Sequence, residues 1–394
     1  MKNVKNEEIK NMGRYSTFPD FSKKCAENAV DFILRKIDEN LETFTYSFPD
    51  YGRQQRYAPI DNVLWTSSFW TGMLWLAYEM TGAGKYRRVA EVHLDSFKRR
   101  IEERIRVDHH DLGFLYSLSC VAAYKLTGNE EAKSTALKAA EHLSTRYFEK
   151  AGIIQAWGDL NDPNQRGRMI IDCNMNLPLL YWASQVTGDT RYFNIAYNHV
   201  KQAANHIVRE DASTYHTFYM DVETGLAKYG KTGQGYADDS CWARGQAWAI
   251  YGFMLSYDYT GDSEFLQVAK KVGNYFLNRL PEDEICYWDL IFTEGQEERD
   301  SSAAAIAACG FLEAAKYLPL TDNCKQSYEN AALLILKSLT AQYTSRELPE
   351  SNAVLLHAVG SKPSNSNVDE PLIFGDYYYF EALVRVLKDW KKYW

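Results

Sequence analysis

Leu74-Trp75-Leu76-Ala77-Tyr78-Glu79-Met80-Thr81-Gly82-Ala83-Gly84-Lys85-Tyr86-Arg87-Arg88-Val89 changes character at its middle. The first half is apolar and aromatic on nearly every face. The second half begins a charged segment with helical periodicity. Between them stands Thr81-Gly82. A glycine there suits the left-handed residue that ends one helix. The same mark returns at Thr127-Gly128, Thr187-Gly188 and Thr260-Gly261. Asn129, Asp189 and Asp262, one residue later, suit the N-cap of a following helix.

Working outward from these marks gives a series of helical hairpins. First members are predicted at about 67–80, 112–126, 173–186, 241–259, 302–317 and 377–389. They are rich in Ala, Leu, Trp and Tyr all round, as buried helices are. Second members at about 85–104, 130–149, 190–209, 264–279 and 325–343 carry Lys, Glu and Arg on one face. A helix near 22–43 completes an outer layer of six. Strand signals are few, near 152–157, 215–220 and 285–292, and read as insertions. Six hairpins stack in a line or close into a ring, and the pattern alone allows both. The marks are unevenly spaced, which argues against a consensus solenoid. The extra residues precede the inner helices, and long loops gathered at one end usually carry function.

No Pro- or Ser-rich linker divides the chain, and Ser361–Asn367 reads as a loop. We expect one domain over 1–394, with 1–20 as an N-terminal extension. The composition, 46% apolar and 14% aromatic, supports a large core. Ten Trp and 28 Tyr exceed what a core needs, so some suit stacking on a flat ligand. The net charge of −8 without a basic stripe argues against nucleic acid. No apolar run approaches a membrane span. Seven Cys, odd in number and without metal or disulfide spacing, read as free thiols in a reducing compartment. The charged N-terminus lacks a secretory apolar core. A cytoplasmic location follows as the expectation, with the protein a monomer or small homo-oligomer.

The loops before the inner helices hold the polar residues that matter. They read Asp108-His109-His110-Asp111, Arg168-Met169-Ile170-Ile171-Asp172 and Asp238-Asp239-Ser240-Cys241-Trp242-Ala243-Arg244. Arg299-Asp300-Ser301 and Gly375-Asp376 follow. Asp is a preferred N-cap, and we expect Asp239, Asp300 and Asp376 to cap their helices. Asp111 and Asp172 sit among denser polar groups on apolar helix starts, which are costly to bury without a task. If the ring closes, both face one mouth. Paired carboxylates hydrolyse sugars when their environments push their pKa values apart. Asp172, behind an apolar run, is the expected proton carrier. His109 and His110 lack metal-ligand spacing, so no metal is expected. His110 and His216 suit substrate contacts instead. No nucleotide or serine-hydrolase motif is present, and no cofactor is expected.

These motifs resemble glycoside hydrolase family 88, the unsaturated glucuronyl hydrolases, over nearly the whole chain. The match runs through Trp65-Thr66, Asp108-His109-His110-Asp111, Gln155-Ala156-Trp157-Gly158 and Ile170-Ile171-Asp172-Cys173. It continues through His216-Thr217-Phe218-Tyr219, Trp242-Ala243-Arg244-Gly245-Gln246-Ala247-Trp248 and Gly375-Asp376-Tyr377-Tyr378-Tyr379. The resemblance implies a closed (α/α)6 barrel of six inner and six outer helices with short β insertions. It implies removal of the 4,5-unsaturated uronic acid from the non-reducing end of glycosaminoglycan fragments, by hydration of the C4=C5 vinyl ether. It assigns general acid/base work to Asp172 and the second essential carboxylate to Asp111. His110, His216, Gln234, Arg244, Trp65, Trp157 and Trp248 match positions that touch the uronate. Members preferring sulfated fragments resemble one another in a Ser-x-x-Ser-x-Lys run. Ser361 and Ser364 match its serines, Ser366 stands in the Lys place, and Lys362 offers a cation nearby. The expected partners are unsaturated uronate-terminated disaccharides and oligosaccharides. The alternatives are an unsaturated rhamnogalacturonyl hydrolase, an α/α-barrel sugar epimerase, and a non-catalytic carbohydrate-binding protein.

Overall fold

The computed structural model describes residues 4–394. Helix α1 (Met12–Ser16) is short, and α2 (Lys23–Asn40) follows it. Then come the hairpins. The first pairs α3 (Ser67–Thr81) with α4 (Gly84–Glu102). In the second, α5 (Leu112–Tyr116) runs through a π-turn at Ser117–Val121 into α6 (Ala122–Thr127), and α7 (Glu130–Ser144) returns. A 3-10 turn at Ile171–Met175 leads into α8 (Leu177–Thr187), which pairs with α9 (Thr190–Gln202). The next two are α10 (Ala243–Thr260) with α11 (Ser263–Leu277), and α12 (Ser301–Tyr317) with α13 (Asn323–Gln342). The last inner helix, α14 (Ile373–Leu387), packs on α2.

The Thr-Gly marks end helices as expected. Gly82, Gly128, Gly188 and Gly261 all have φ between 67° and 76°. Each donates its N–H to the carbonyl four residues back, on Tyr78, Tyr124, Ser184 and Tyr257. A Cβ would strain each position. The next helices start where the side chains of Asn129, Asp189 and Asp262 accept backbone N–H groups.

Each inner helix packs on the next, and α14 returns to α3, closing the ring. The chain is therefore an (α/α)6 barrel, with α2, α4, α7, α9, α11 and α13 outside. Residues 4–20 lie along that outer layer. Arg279 donates to Glu7 at 2.8 Å, and Lys10 N–H donates to Asn278 at 2.8 Å.

Four small sheets fill the loops. They are β1 (Phe48–Pro49) with β2 (Pro59–Ile60), β3 (Tyr147–Phe148) with β4 (Ile153–Ile154), and a three-stranded sheet. Its strands β5 (Arg168–Ile170), β6 (Thr217–Met220) and β7 (Ala227–Lys231) run antiparallel in that order. The fourth is a hairpin of β8 (Ala358–Ser361) and β9 (Ser366–Glu370). The strand expected at 285–292 is only two isolated bridges, Trp242 with Asp289 and Tyr287 with Arg299. The loop expected at 361–367 is instead the β8–β9 turn and part of its second strand.

Asp300 caps α12, accepting from Ser302 N–H and Ala303 N–H. Asp239 and Asp376 do not cap, correcting that expectation. Asp239 is exposed in the loop before α10, whose N-cap is Trp242. Asp376 lies inside α14, where its carboxylate accepts from Val354 N–H, Leu355 N–H and the Tyr57 hydroxyl. It ties the chain before β8 to the barrel.

A buried ionic cluster joins α10, α12 and α14 to the last residues. Arg385 donates to Glu381 at 3.0 Å and to Glu313 at 2.5 Å. Lys392 also donates to Glu313, and Trp394 Nε1–H donates to Glu381 at 2.8 Å. Burial pushes Glu313 up, but Arg385 and Lys392 outweigh it and hold its carboxyl near 2. Glu313→Gln leaves two cations short of an acceptor. It is expected to cost about 3–5 kcal/mol, read as a lower urea midpoint with an unchanged m-value. Because the folded pKa is depressed, this stabilisation is present above the usual Glu range. In wild type it fades as pH falls from about 4.5 toward about 2.

Candidate active site

The loops at the N-terminal ends of the inner helices enclose about 590 Å³ of open space. Trp65, Asp172, Gln234, Arg244 and Ser361, all expected from sequence, line it. Tyr51, Gly360, Ser366, Asn367, Leu372 and Phe374 complete the wall.

Asp111 and Asp172 are brought together through one amide. Asn176, fully buried, donates Nδ2–H to Asp111 Oδ1 at 3.4 Å and to the Asp172 carbonyl at 3.2 Å. Its Oδ1 accepts Phe114 N–H at 2.7 Å. So one side chain spans the starts of α5 and α8. Gly113 permits this approach: a Cβ there would lie 2.2 Å from Asn176 Cα. Asp111 occupies the N-cap position of α5 but makes no capping bond. Its carboxylate is free to face the loop side chains.

The two carboxylates differ in environment. Burial pushes Asp172 up to about 7, and the Asp111 charge adds to it, with Arg244 opposing. Asp172 Oδ2 is buried without a hydrogen-bond partner. Burial also pushes Asp111 up, but His110, His109 and Asn176 outweigh it and hold its carboxyl below the usual range. Both imidazoles lie 3.3 Å from its oxygens. Burial lowers His110 to about 4, with the Asp111 charge opposing. The site thus pairs one carboxylic acid with one carboxylate, the arrangement that acid catalysis near neutral pH requires.

Arg244 braces the mouth. It donates to Asp300 Oδ2 at 2.8 Å, Gln234 Oε1 at 3.0 Å, the Gly360 carbonyl at 2.7 Å and the Val359 carbonyl. Its guanidinium lies over the Trp242 ring at 4.5 Å. Helices α10 and α12 and the β8–β9 hairpin therefore meet at one cation. Gln234 reaches His216 Nε2 at 3.3 Å, and Thr217 Oγ1 holds His216 Nδ1 at 2.6 Å. Trp65 stacks on Phe374 at 5.3 Å and 30°.

Seven expected site residues are not in the cavity wall: Asp111 is half-buried, His110 and His216 are buried, and Trp248, Trp157, Ser364 and Lys362 lie elsewhere. Trp248 has no exposed surface and packs beneath the floor on Phe114 and Tyr378. It supports the site and does not reach the cavity. Trp157 is 44% exposed at the rim, outside the cavity wall. Ser364 sits exposed at the hairpin tip. Lys362 pairs with Glu298. Ser366 lines the cavity where the sequence placed Lys362 and Ser364. Tyr51 was not anticipated. It lies in a loop with no helix or strand period, and only its closeness to Trp65 and Asp111 singles it out.

The profile of Glycosyl Hydrolase Family 88 matches residues 36–389. The chain belongs to glycosyl hydrolase family 88. It is 47% identical over 396 residues to an unsaturated chondroitin disaccharide hydrolase of Streptococcus pneumoniae (strain ATCC BAA-255 / R6), covering all of both chains. The fold matches the crystal structure of unsaturated glucuronyl hydrolase from Streptococcus agalactiae, with a TM-score of 0.97 and 47% identity, each chain covered fully. An Asp-to-Asn mutant of the agalactiae enzyme, complexed with dGlcA-GalNAc6S, matches at 0.90 and 44% identity, again over both whole chains. Within this family, the pairing of Asp111 with Asp172 is the feature whose chemistry needs explaining.

Proposed function

We infer that the chain is an unsaturated glucuronyl hydrolase. It removes the 4,5-unsaturated uronic acid from the non-reducing end of glycosaminoglycan oligosaccharides. The observation that carries the chemistry is an Asp172 carboxyl at the cavity wall, its Oδ2 buried without a partner, held near 7 beside an ionised Asp111. The names of the relatives and the dGlcA-GalNAc6S complex favour glycosaminoglycan over rhamnogalacturonan substrates.

The reaction follows from those two groups. Asp172 gives its proton to C4 of the vinyl ether. Positive charge develops at C5 and the ring oxygen, and the Asp111 carboxylate stabilises it in a low-dielectric site. Water adds at C5 and returns a proton to Asp172, leaving a hemiketal. The hemiketal opens by breaking its bond from C5 to the ring oxygen, leaving a ketone at C5 and a hemiacetal at C1; the hemiacetal collapses to an aldehyde and releases the next sugar as the alcohol. His110 Nδ1, buried and without a partner, is a polar atom for the uronate to meet. Gln234 and Arg244 line the same wall, and Trp65 offers a face to the sugar ring. Tyr51 takes a place beside them. Ser361 and Ser366 face the next sugar from the hairpin.

Seven cysteines, none in a disulfide, suit a reducing compartment, and the cytoplasm is the proposed location. No described helix is long and apolar enough to cross a membrane.

Adding purified protein to unsaturated chondroitin disaccharide should bleach the ultraviolet absorbance of the conjugated uronate. An unchanged absorbance at high enzyme concentration, with folded protein, rules the activity out. A rate panel on unsaturated disaccharides from hyaluronan, chondroitin sulfates and heparin then fixes the preferred substrate.

A further inference from the structure

The three-stranded sheet at the mouth buries one face, and on the other face Ile170 and Thr217 are buried while the outer end is partly open. Met169 and Phe218 are buried on the inner side. At the outer end, Arg168, Tyr219 and Tyr229 are direct cross-strand partners, so they form one row across β5, β6 and β7. Tyr219 and Tyr229 stack at 4.9 Å and 27°. The Arg168 guanidinium lies 5.6 Å from the Tyr219 ring and 4.9 Å from the Trp157 ring. Tyr229 is 54% exposed. The result is a stacked row of three aromatic rings and one cation, with Trp157 and Tyr229 its exposed members.

Arg168 is pinned and yet unpaired. Its Nε–H donates to the Tyr219 hydroxyl at 3.1 Å, which orients the guanidinium. Among the described residues, neither Nη group has a hydrogen-bond acceptor, and no carboxylate pairs with it. Nearby acids are engaged elsewhere: Glu223 with Arg166, and Asp221 with Lys228. A planar cation fixed by one nitrogen, with both Nη groups open, is arranged for bidentate contact with a sulfate or carboxylate. The neighbouring rings suit the faces of sugars.

The same strand leads into the site. Asp172 follows Arg168 by four residues, where the strand gives way to the 3-10 turn at Ile171. Ile171 N–H donates to the His216 carbonyl, and His110 N–H donates to the Ala156 carbonyl beside Trp157. The row is therefore joined through the backbone to the segments that carry Asp172, His216 and His110.

We propose that Trp157, Arg168, Tyr219 and Tyr229 form a distal subsite for the third and fourth sugars of anionic oligosaccharides, with Arg168 taking their sulfate or carboxylate. This rests on the activity inferred above. The test compares kcat/KM on unsaturated chondroitin sulfate disaccharide and tetrasaccharide for wild type, Arg168→Gln and Tyr229→Ala. Wild type should favour the tetrasaccharide, and the advantage should shrink as salt is raised. Each variant should lose about tenfold on the tetrasaccharide and stay within about twofold on the disaccharide. Tyr229, half-open on an edge strand, provides a variant that does not threaten folding. The subsite is overturned if wild type shows no preference for the longer substrate. It is equally overturned if the variants lose both substrates alike, or lose neither. Absence of turnover on both substrates in wild type would instead sink the activity itself.

Discussion

Asp172→Asn is expected to lower kcat by about 10²–10⁴-fold while substrate binding stays within a few-fold of wild type. Asn keeps the volume and one acceptor but has no proton of suitable acidity for a carbon base. Titration of the folded variant with unsaturated disaccharide measures binding, and single-turnover absorbance measures chemistry. Near wild-type turnover in purified, folded Asp172→Asn removes Asp172 from the role of acid. The wild-type rate should also fall as pH rises through about 7, because the proton to be donated is then lost. The same shift has a consequence for stability. A folded pKa raised above the unfolded one gives stability that is full below the usual Asp range and lost as pH rises through about 7. The variant, carrying no buried charge at that position, should therefore melt above wild type in alkaline buffer. A residue merely supporting the fold would lower the melting point at every pH.

Asp111→Asn is the second large effect, with kcat expected to fall by about 10²–10³-fold. The loss arises at the transition state, where the C5 cation has no carboxylate to face. A second readout separates this role from simple substrate orientation. The Asp111 charge helps hold Asp172 near 7, so removing it should move the alkaline limb of the residual rate to lower pH. A limb that stays where wild type has it means that Asp111 does not tune the acid. The amide of Asn176 bonds both segments, so Asp111→Asn also tests whether the 3-10 turn carrying Asp172 keeps its place. An unchanged melting point would show that it does.

Most of the helical frame was readable because its signals are local. A left-handed glycine leaves its mark in one residue, and four of them, three followed at once by a capping Asn or Asp, located the hairpins. The closed ring needed more, since no local pattern encodes the packing of α14 on α3. The β8–β9 hairpin was not readable. Its turn and second strand place Asn365, Asn367 and Asp369 at positive φ, and their polar run shows no alternation of buried and open residues. Tertiary anchors set its shape instead: Arg244 on the Val359 and Gly360 carbonyls, and Asn367 on the Gly52 carbonyl.

The site divides in the same way. Asp111 and Asp172 stood out as polar groups at apolar helix starts, and both lie at the barrel mouth. Trp248 also stands near an inner-helix start, yet the ring of inner helices buries it entirely. Helix position tells which end of the barrel a residue occupies but not how deep it lies. Tyr51 belongs to a loop whose course depends on Pro371, whose carbonyl would lie 2.2 Å from a Cβ on Gly52. Contacts roughly 300 residues apart in sequence leave no trace in a local pattern.

The seam between α3 and α14 sets a schedule for biosynthesis. Helix α3 is apolar on nearly every side, but its last inner neighbour is made about 290 residues later, some 15–60 s at ordinary elongation rates. Throughout that interval a nascent crescent of helices presents apolar flanks to solvent or to a chaperone. Crowded polysomes are therefore where this protein is most exposed to aggregation, before the final helix has left the ribosome.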